Sequence, residues 1–321
     1  MLTSRALRAV VAGTLVSIIA GCAATGGGGT PAPSPSGAAS WLGLDPVVPS
    51  PVPSATASAT PEGISAALAA LPPALRARVP EFPAPPAPSQ LTLPKGDRAG
   101  AFARIPTTEK IAFITIDDGW QKDPMALKLF QAANVPVTLF LEVNAIQDDP
   151  DYFTPLLGAG ATVQNHTITH ATMTHLSYEG QKREICGGAD QLKKYYGTRP
   201  TLFRPPGGSY NTTTLRAAHD CGMKAVFTWK ETTDHGKVFY QQRPHLVQPG
   251  DIILMHFRPR FVDDFLAVLK AIHKAGLTPA RLEDYIPGTE PPTSTEPPTS
   301  TEPPASTEPS TSSVPAPPHL G

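Results

Sequence analysis

Between about residue 101 and residue 287, short apolar runs alternate with stretches whose apolar residues recur every three or four positions. The runs are Ile111–Ile116, Val137–Leu141, Ala161–Gln164, Thr201–Phe203, Lys224–Trp229, Asp251–His256 and Leu277–Leu282. Runs this short, bounded by turn residues, predict strands buried on both faces. The periodic stretches predict helices over Met125–Ala133, Phe153–Leu157, Tyr178–Tyr196, Thr213–Cys221 and Phe261–Ala275. Strands alternating with helices predict an α/β fold, a parallel sheet with helices outside it. Six or seven such units closing on themselves make a TIM-like barrel, complete or incomplete.

The flanks lack this rhythm. Arg5 and Arg8 precede an apolar stretch, Val10–Ala20, that is too short to span a bilayer. It ends in Ile19-Ala20-Gly21-Cys22, which resembles a bacterial lipoprotein signal with Cys22 as the lipidated residue. Residues 1–22 are then a leader, and the protein is expected outside the cytoplasm, anchored to the membrane by its lipid. The alternative is an ordinary secretory leader cleaved near Ala23 or Ala24, giving a secreted protein. Residues 23–100 are rich in Pro, Ala and Ser and are expected to be a linker outside the domain. Within it, Ile64, Leu68, Leu71 and Leu75 keep helical spacing, predicting a short helix over 62–78 that breaks or restarts at Pro72-Pro73. From residue 288 to 321 the chain repeats Thr-Glu-Pro-Pro-Thr-Ser, a low-complexity pattern expected to be disordered. The 39 prolines lie mostly in these flanks, so composition favours one folded domain over two.

Charge narrows the function classes. Charged residues make up 17% of the chain and the net charge is -1, so no basic excess points to nucleic acid. Apart from Cys22, the cysteines are Cys186 and Cys221. Outside the cytoplasm, such a leftover pair points to a disulfide, with two free buried thiols as the alternative.

Four polar clusters follow predicted strands. Asp117-Asp118-Gly119 ends the first, placing two carboxylates where α/β folds put their chemistry. Neighbouring carboxylates repel, so a cation commonly holds one while the other remains free for proton transfer. His166-Thr-Ile-Thr-His170 follows the third strand, with two imidazoles at the i, i+4 spacing of one helical turn. With Asp118 they make a two-histidine, one-carboxylate set suited to zinc, with cobalt or nickel also accommodated. Arg204-Pro-Pro-Gly-Gly-Ser-Tyr210 offers a guanidinium to the free carboxylate and glycine N–H groups to a ligand. Leu254-Met255-His256 ends a later strand with a histidine able to act as general acid. Each cluster alone also has an ordinary structural explanation: a surface turn, a capping histidine, a surface arginine, a rim histidine.

In this order, the motifs resemble the polysaccharide deacetylases, carbohydrate esterase family 4 with the NodB homology domain. The resemblance covers roughly residues 107–286 and implies a distorted (β/α) barrel. It implies a metal-dependent hydrolase that removes N-acetyl groups from glycans such as peptidoglycan, capsule or a chitin-like oligomer, acting as a monomer. On that pattern Asp117 is the general base, Asp118, His166 and His170 hold the metal, Arg204 orients Asp117, and His256 protonates the leaving amine. Leu254 lines the acetyl pocket and an N–H of the Arg204 loop serves the oxyanion. Two places depart from the pattern. Gly207 stands where the family has Tyr, with Tyr210 the nearest aromatic substitute. Trp229-Lys-Glu-Thr-Thr-Asp234 keeps the Trp of a further motif but not its Asp, leaving Glu231 or Asp234 to support His256.

Overall fold

The strand that carries both acids, Ile111–Asp118, is buried along almost its whole length because it has a layer of side chains on each face. Ala112, Ile114 and Ile116 point outward, into a core shared with the covering helices; Ile111 and Phe113 point inward, toward Phe140, Phe227 and Tyr285. Toward the carboxyl end the inner face turns polar at Thr115 and Asp117, both buried. The sequence pattern read as continuously apolar is thus two interleaved faces, as a doubly covered parallel strand requires.

The computed structural model describes residues 60–289. Among them the strands are β1 (Gly100–Phe102), β2 (Ile111–Asp118), β3 (Val137–Leu141), β4 (Ala161–Asn165), β5 (Leu202–Phe203), β6 (Ala225–Phe227), β7 (Glu231–Asp234), β8 (Lys237–Tyr240), β9 (Ile252–His256) and β10 (Thr278–Pro279). The helices are α1 (Pro61–Ala69), α2 (Pro73–Arg76), α3 (Ala126–Ala133), α4 (Val143–Ile146), α5 (Thr154–Gly158), α6 (Tyr178–Tyr196), α7 (Thr212–Asp220) and α8 (Phe261–Lys274). The sheet runs β1-β6-β5-β4-β3-β2-β9-β7-β8, with β10 also pairing β2. All pairs are parallel except the β7–β8 hairpin. β1 and β8 end the path without meeting, so the sheet is a curled half-barrel rather than a closed one.

Three features differ from the sequence reading. The hairpin lay unseen inside the Trp229 motif; its turn is His235-Gly236, both with positive φ (51° and 72°), the backbone a two-residue hairpin favours. The expected last strand is confined to Thr278–Pro279, after which Leu282–Tyr285 forms a 3₁₀ turn. The third concerns residues 60–99, expected to be linker. Thr60 caps α1 through a Gly63 N–H to Thr60 Oγ1 bond of 3.2 Å, and the helix stops and restarts at the prolines as predicted. But Leu71 is buried in the outer core, Leu91 and Leu93 pack on the inner one, and Leu91 N donates to Tyr285 O at 2.8 Å. Burying one leucine contributes roughly 1.5–3 kcal/mol, so this strap belongs to the domain. The pattern of residues 80–94 hid it, because a proline-rich segment can lie extended on a surface with few apolar anchors.

A disulfide joins Cys186 in α6 to Cys221 at the end of α7, with Cα atoms 5.0 Å apart. It braces the segments that follow the histidine pair and the Arg204 loop. The expected leader with Cys22, the part of the expected linker up to residue 59 and the repeats from residue 290 lie outside the described residues.

Candidate metal centre

The mouth of the half-barrel is formed by the carboxyl ends of β2, β3, β4, β5 and β9. Register sets Asp117 opposite His256 on β9 and Asp118 opposite Leu141 on β3. At Asp118 the chain leaves the strand through a left-handed backbone, φ 73°, followed by Gly119 at 116°. A Cβ at Gly119 would stand 2.5 Å from Ile146 Cγ2, so this tight exit requires glycine.

The histidine pair does not form a helical turn. Thr167 and His170 have φ of 77° and 56°, and the segment is a loop. Left-handed backbone costs of order 1–3 kcal/mol at such residues and persists only when its surroundings impose it. Here the surroundings do. Thr167 N donates to Asn165 Oδ1 (2.9 Å), and His170 N to Thr167 Oγ1 (3.1 Å). Glu184 on α6 accepts from Ile168 N, Thr169 N and Thr169 Oγ1 at 2.9–3.0 Å. Val143 N and Asn144 N, opening α4, donate to Thr167 O and Ile168 O. Gly187 and Gly188 let α6 approach: a Cβ on Gly188 would lie 2.5 Å from Asn165 Oδ1.

This loop brings both imidazoles to Asp118. The Nε2 atoms of His166 and His170 each lie 3.5 Å from Asp118 Oδ1. His166 Nδ1 is 2.7 Å from Arg204 O, which fixes its proton there and turns the Nε2 lone pair toward Asp118. Asp118 Oδ1 is buried and accepts no hydrogen bond. Three potential ligand atoms thus converge on a carboxylate oxygen that no donor satisfies, an arrangement that a cation completes. Donors about 2.0–2.1 Å from one tetrahedral ion lie about 3.4 Å apart, close to the spacing here. Burial pushes His166 down to about 3, favouring the neutral, ligating form. Burial raises Asp118 as well, aided by Asp117 and opposed by the two histidines.

Asp117 borders this set, its Oδ2 3.7 Å from His166 Nε2, but its other oxygen is held elsewhere. Its Oδ1 accepts from Arg204 Nη1 at 2.7 Å, both side chains being almost fully buried. Arg204 also donates to Thr115 Oγ1 (2.8 Å), Thr228 O (3.3 Å) and Phe227 O (3.4 Å), and its guanidinium lies 4.3 Å from the Phe140 ring centre. Burial raises the Asp117 pKa, while Arg204, His256 and His170 act to lower it.

The remaining predicted residues divide. Leu254, buried on β9, sits opposite Thr115, one step below the acids. Gly207 has φ 61° and open space where a side chain would stand, whereas a Cβ on Gly208 would lie 3.1 Å from the Trp229 ring. The hydrogen bonds of this turn are made by Gly208 N and Ser209 N. Tyr210 is exposed and, among the described residues, no hydrogen bond or ring contact ties it to the site. The carboxylates offered to His256 do not reach it. Glu231 points to the outer face, beside Asp251, and Asp234 engages His235 and Arg258. His256 Nδ1 is buried without a partner.

Two contributors were missed. Glu142, buried just past β3, donates its N–H to Asp118 O (3.0 Å) and accepts from Trp120 Nε1 (3.1 Å). Its one sequence signal was a carboxylate immediately beyond an apolar run. Arg258 lies two residues past His256, ion-paired to Asp234 at 3.1 Å, and its charge reaches Asp118 and His256.

A sequence model described as polysaccharide deacetylase matches residues 104–226. A peptidoglycan-N-acetylglucosamine deacetylase of Bacillus cereus is 30% identical over 160 residues, 47% of this chain and 75% of its own length. The chain belongs to the polysaccharide deacetylase family. An uncharacterized protein of Streptomyces coelicolor is 37% identical over 187 residues, covering 57% of this chain and 75% of its own. Among solved structures, a family 4 carbohydrate esterase pseudoenzyme from Bacillus anthracis superposes with a TM-score of 0.52 at 20% identity, over 58% of this chain and 68% of that one. At that identity the likeness speaks for the polysaccharide deacetylase fold alone.

Proposed function

We propose that this polysaccharide deacetylase is a metal-dependent hydrolase of N-acetyl groups on a cell-wall or other extracellular glycan with N-acetylglucosamine-type units. The observation that carries the reading is the division of labour between adjacent acids: Asp118 faces two imidazoles while Asp117 is held by Arg204. Asp118, His166 and His170 would hold the ion, for which zinc is the first choice and cobalt or nickel the alternatives. Once bound, it supplies a Lewis acid that polarises the acetyl carbonyl and acidifies water. Asp117 accepts the proton of the attacking water, and Arg204 keeps that carboxylate ionised and oriented. The Gly207 N–H donates to the developing oxyanion. Leu254 packs the acetyl methyl, and His256 hands a proton to the departing nitrogen. A leader at residues 1–22 would carry the protein outside the cytoplasm, held by a lipid on Cys22 or secreted, and the disulfide suits that compartment.

A second reading has an observation of its own. His256 Nδ1 is buried without a hydrogen-bond partner, and Gly207 leaves a wall of the site open. A weak or inactive glycan binder of the same fold, or a deacylase of non-sugar amides or esters, fits those features. Acetate release from N-acetylglucosamine oligomers, purified peptidoglycan and aryl acetates, with and without chelator, separates the three. The deacetylase reading expects chelator-sensitive release from a glycan. Release from aryl acetates alone selects the deacylase. No release by the metal-loaded protein selects the binder.

A further inference from the structure

Among the described residues three large apolar side chains are exposed, and Trp120, at 61%, is the most exposed of them. It stands two residues beyond Asp118. The turn at Gly119 throws it onto the rim, and the next residue ties the segment across the mouth, since Gln121 N donates to Phe257 O at 3.1 Å. Lys122 fastens the far side through Ala145 O (2.9 Å) and Asp148 Oδ1 (2.7 Å). The indole is itself pinned: its N–H is bonded to the buried Glu142, whose own N–H is bonded to Asp118 O. A rim tryptophan with its polar edge bonded inward and its ring in water is held at the cost of side-chain freedom and apolar exposure.

We propose that Trp120 is a fixed stacking platform for a pyranose ring of the glycan, next to the ring that presents its acetyl group to Asp117 and the Asp118 set. The polarised C–H groups of a pyranose face pack on the electron-rich face of an indole, while the hydroxyls at the ring edge stay in water. Such a platform selects a substrate of linked sugars over a single sugar. The inference rests on the reading of the mouth as a glycan site.

The experiment separates the two. Binding of the N-acetylglucosamine tetramer is measured by calorimetry on the metal-loaded chain carrying Asp117→Asn, alone and with Trp120→Ala or Trp120→Phe, with metal content determined on each sample. Phenylalanine keeps a ring and loses the N–H; alanine loses both. The platform predicts affinity down by about tenfold or more for alanine and within about threefold for phenylalanine, at equal metal content. Equal weakening by both variants, with or without loss of metal, overturns it in favour of the Glu142 hydrogen bond. Unchanged binding by Trp120→Ala overturns it, as does a parent chain that does not bind the tetramer. Acetate release by the wild type, assayed in parallel, judges the deacetylase reading: tetramer bound through Trp120 but never deacetylated removes that reading and leaves the platform standing.

Discussion

Asp117 and Asp118 both border His166, but only Asp117 is held by Arg204 and only Asp118 also faces His170 at 3.5 Å. Asp118→Ala should lose metal and activity together. Asp117→Asn should keep the metal, because an amide of the same shape leaves the ligand set intact, yet lose about 10² to 10⁴-fold in turnover, the usual weight of a general base. Metal analysis beside acetate assays checks both. Arg204→Ala acts through Asp117. The guanidinium lowers that carboxyl's pKa against the burial that raises it, so its removal moves the acidic limb of the pH–rate profile upward. A profile whose acidic limb stays in place would refute the coupling. The placement of both acids, the histidines, Arg204 and His256 at one mouth could be read from sequence because each stands at or just after the end of an apolar run. Glu142 and the orphaned His256 Nδ1 could not, since a single polar residue after a strand carries no sign of what it will face.

At the scale of the element, α6 and the histidine loop are fitted to one another. On an open helix face, Gly→Ala stabilises by about 1 kcal/mol. At Gly188 the new methyl would meet Asn165 Oδ1 at 2.5 Å and the Thr167 backbone at 3.1 Å, displacing the residue that shapes the loop. Overpacking costs about 1–3 kcal/mol, so it outweighs the propensity gain. Gly188→Ala should therefore lower both the unfolding midpoint and the metal affinity. Gly187→Ala meets the flexible end of Ile168 and should do neither. The β7–β8 hairpin carries a different liability. Burial, then Asp251, push the Glu231 carboxyl up to about 9. Its contribution to stability is present below the ordinary glutamate pKa and is lost as pH rises toward 9. Glu231→Gln should remove that loss, so its unfolding midpoint should gain on the wild type between about pH 5 and 9. Parallel curves across that range would count against the assignment. The helices of the domain were legible because their period is long. The histidine loop was misread as a turn of helix because spacing alone cannot report positive φ at Thr167 and His170.

Over the whole molecule, the boundary drawn from composition at residue 101 falls inside the folded unit. A truncated chain beginning at Ala101 should melt well below one beginning at Thr60, because Leu71, Leu91 and Leu93 cover cores that would otherwise face water. Matching thermal transitions would show the strap to be dispensable. The parallel α/β architecture was readable, its openness was not: closure depends on the pairing of edges, and β1 and β8 were too short or too polar to be seen. The strap also orders events in time. Its residues are synthesised before the strands they cover, but their seats come late: Arg78 meets Asp263, Phe82 meets His273, and Leu91 meets Tyr285. β2 likewise waits for β9 and β10. Contacts so distant in sequence form slowly, since their loop closure must precede any gain from packing. A growing chain can seat Leu91 only after the ribosome has passed Tyr285, and can set Asp117 opposite His256 only after β9 has been made.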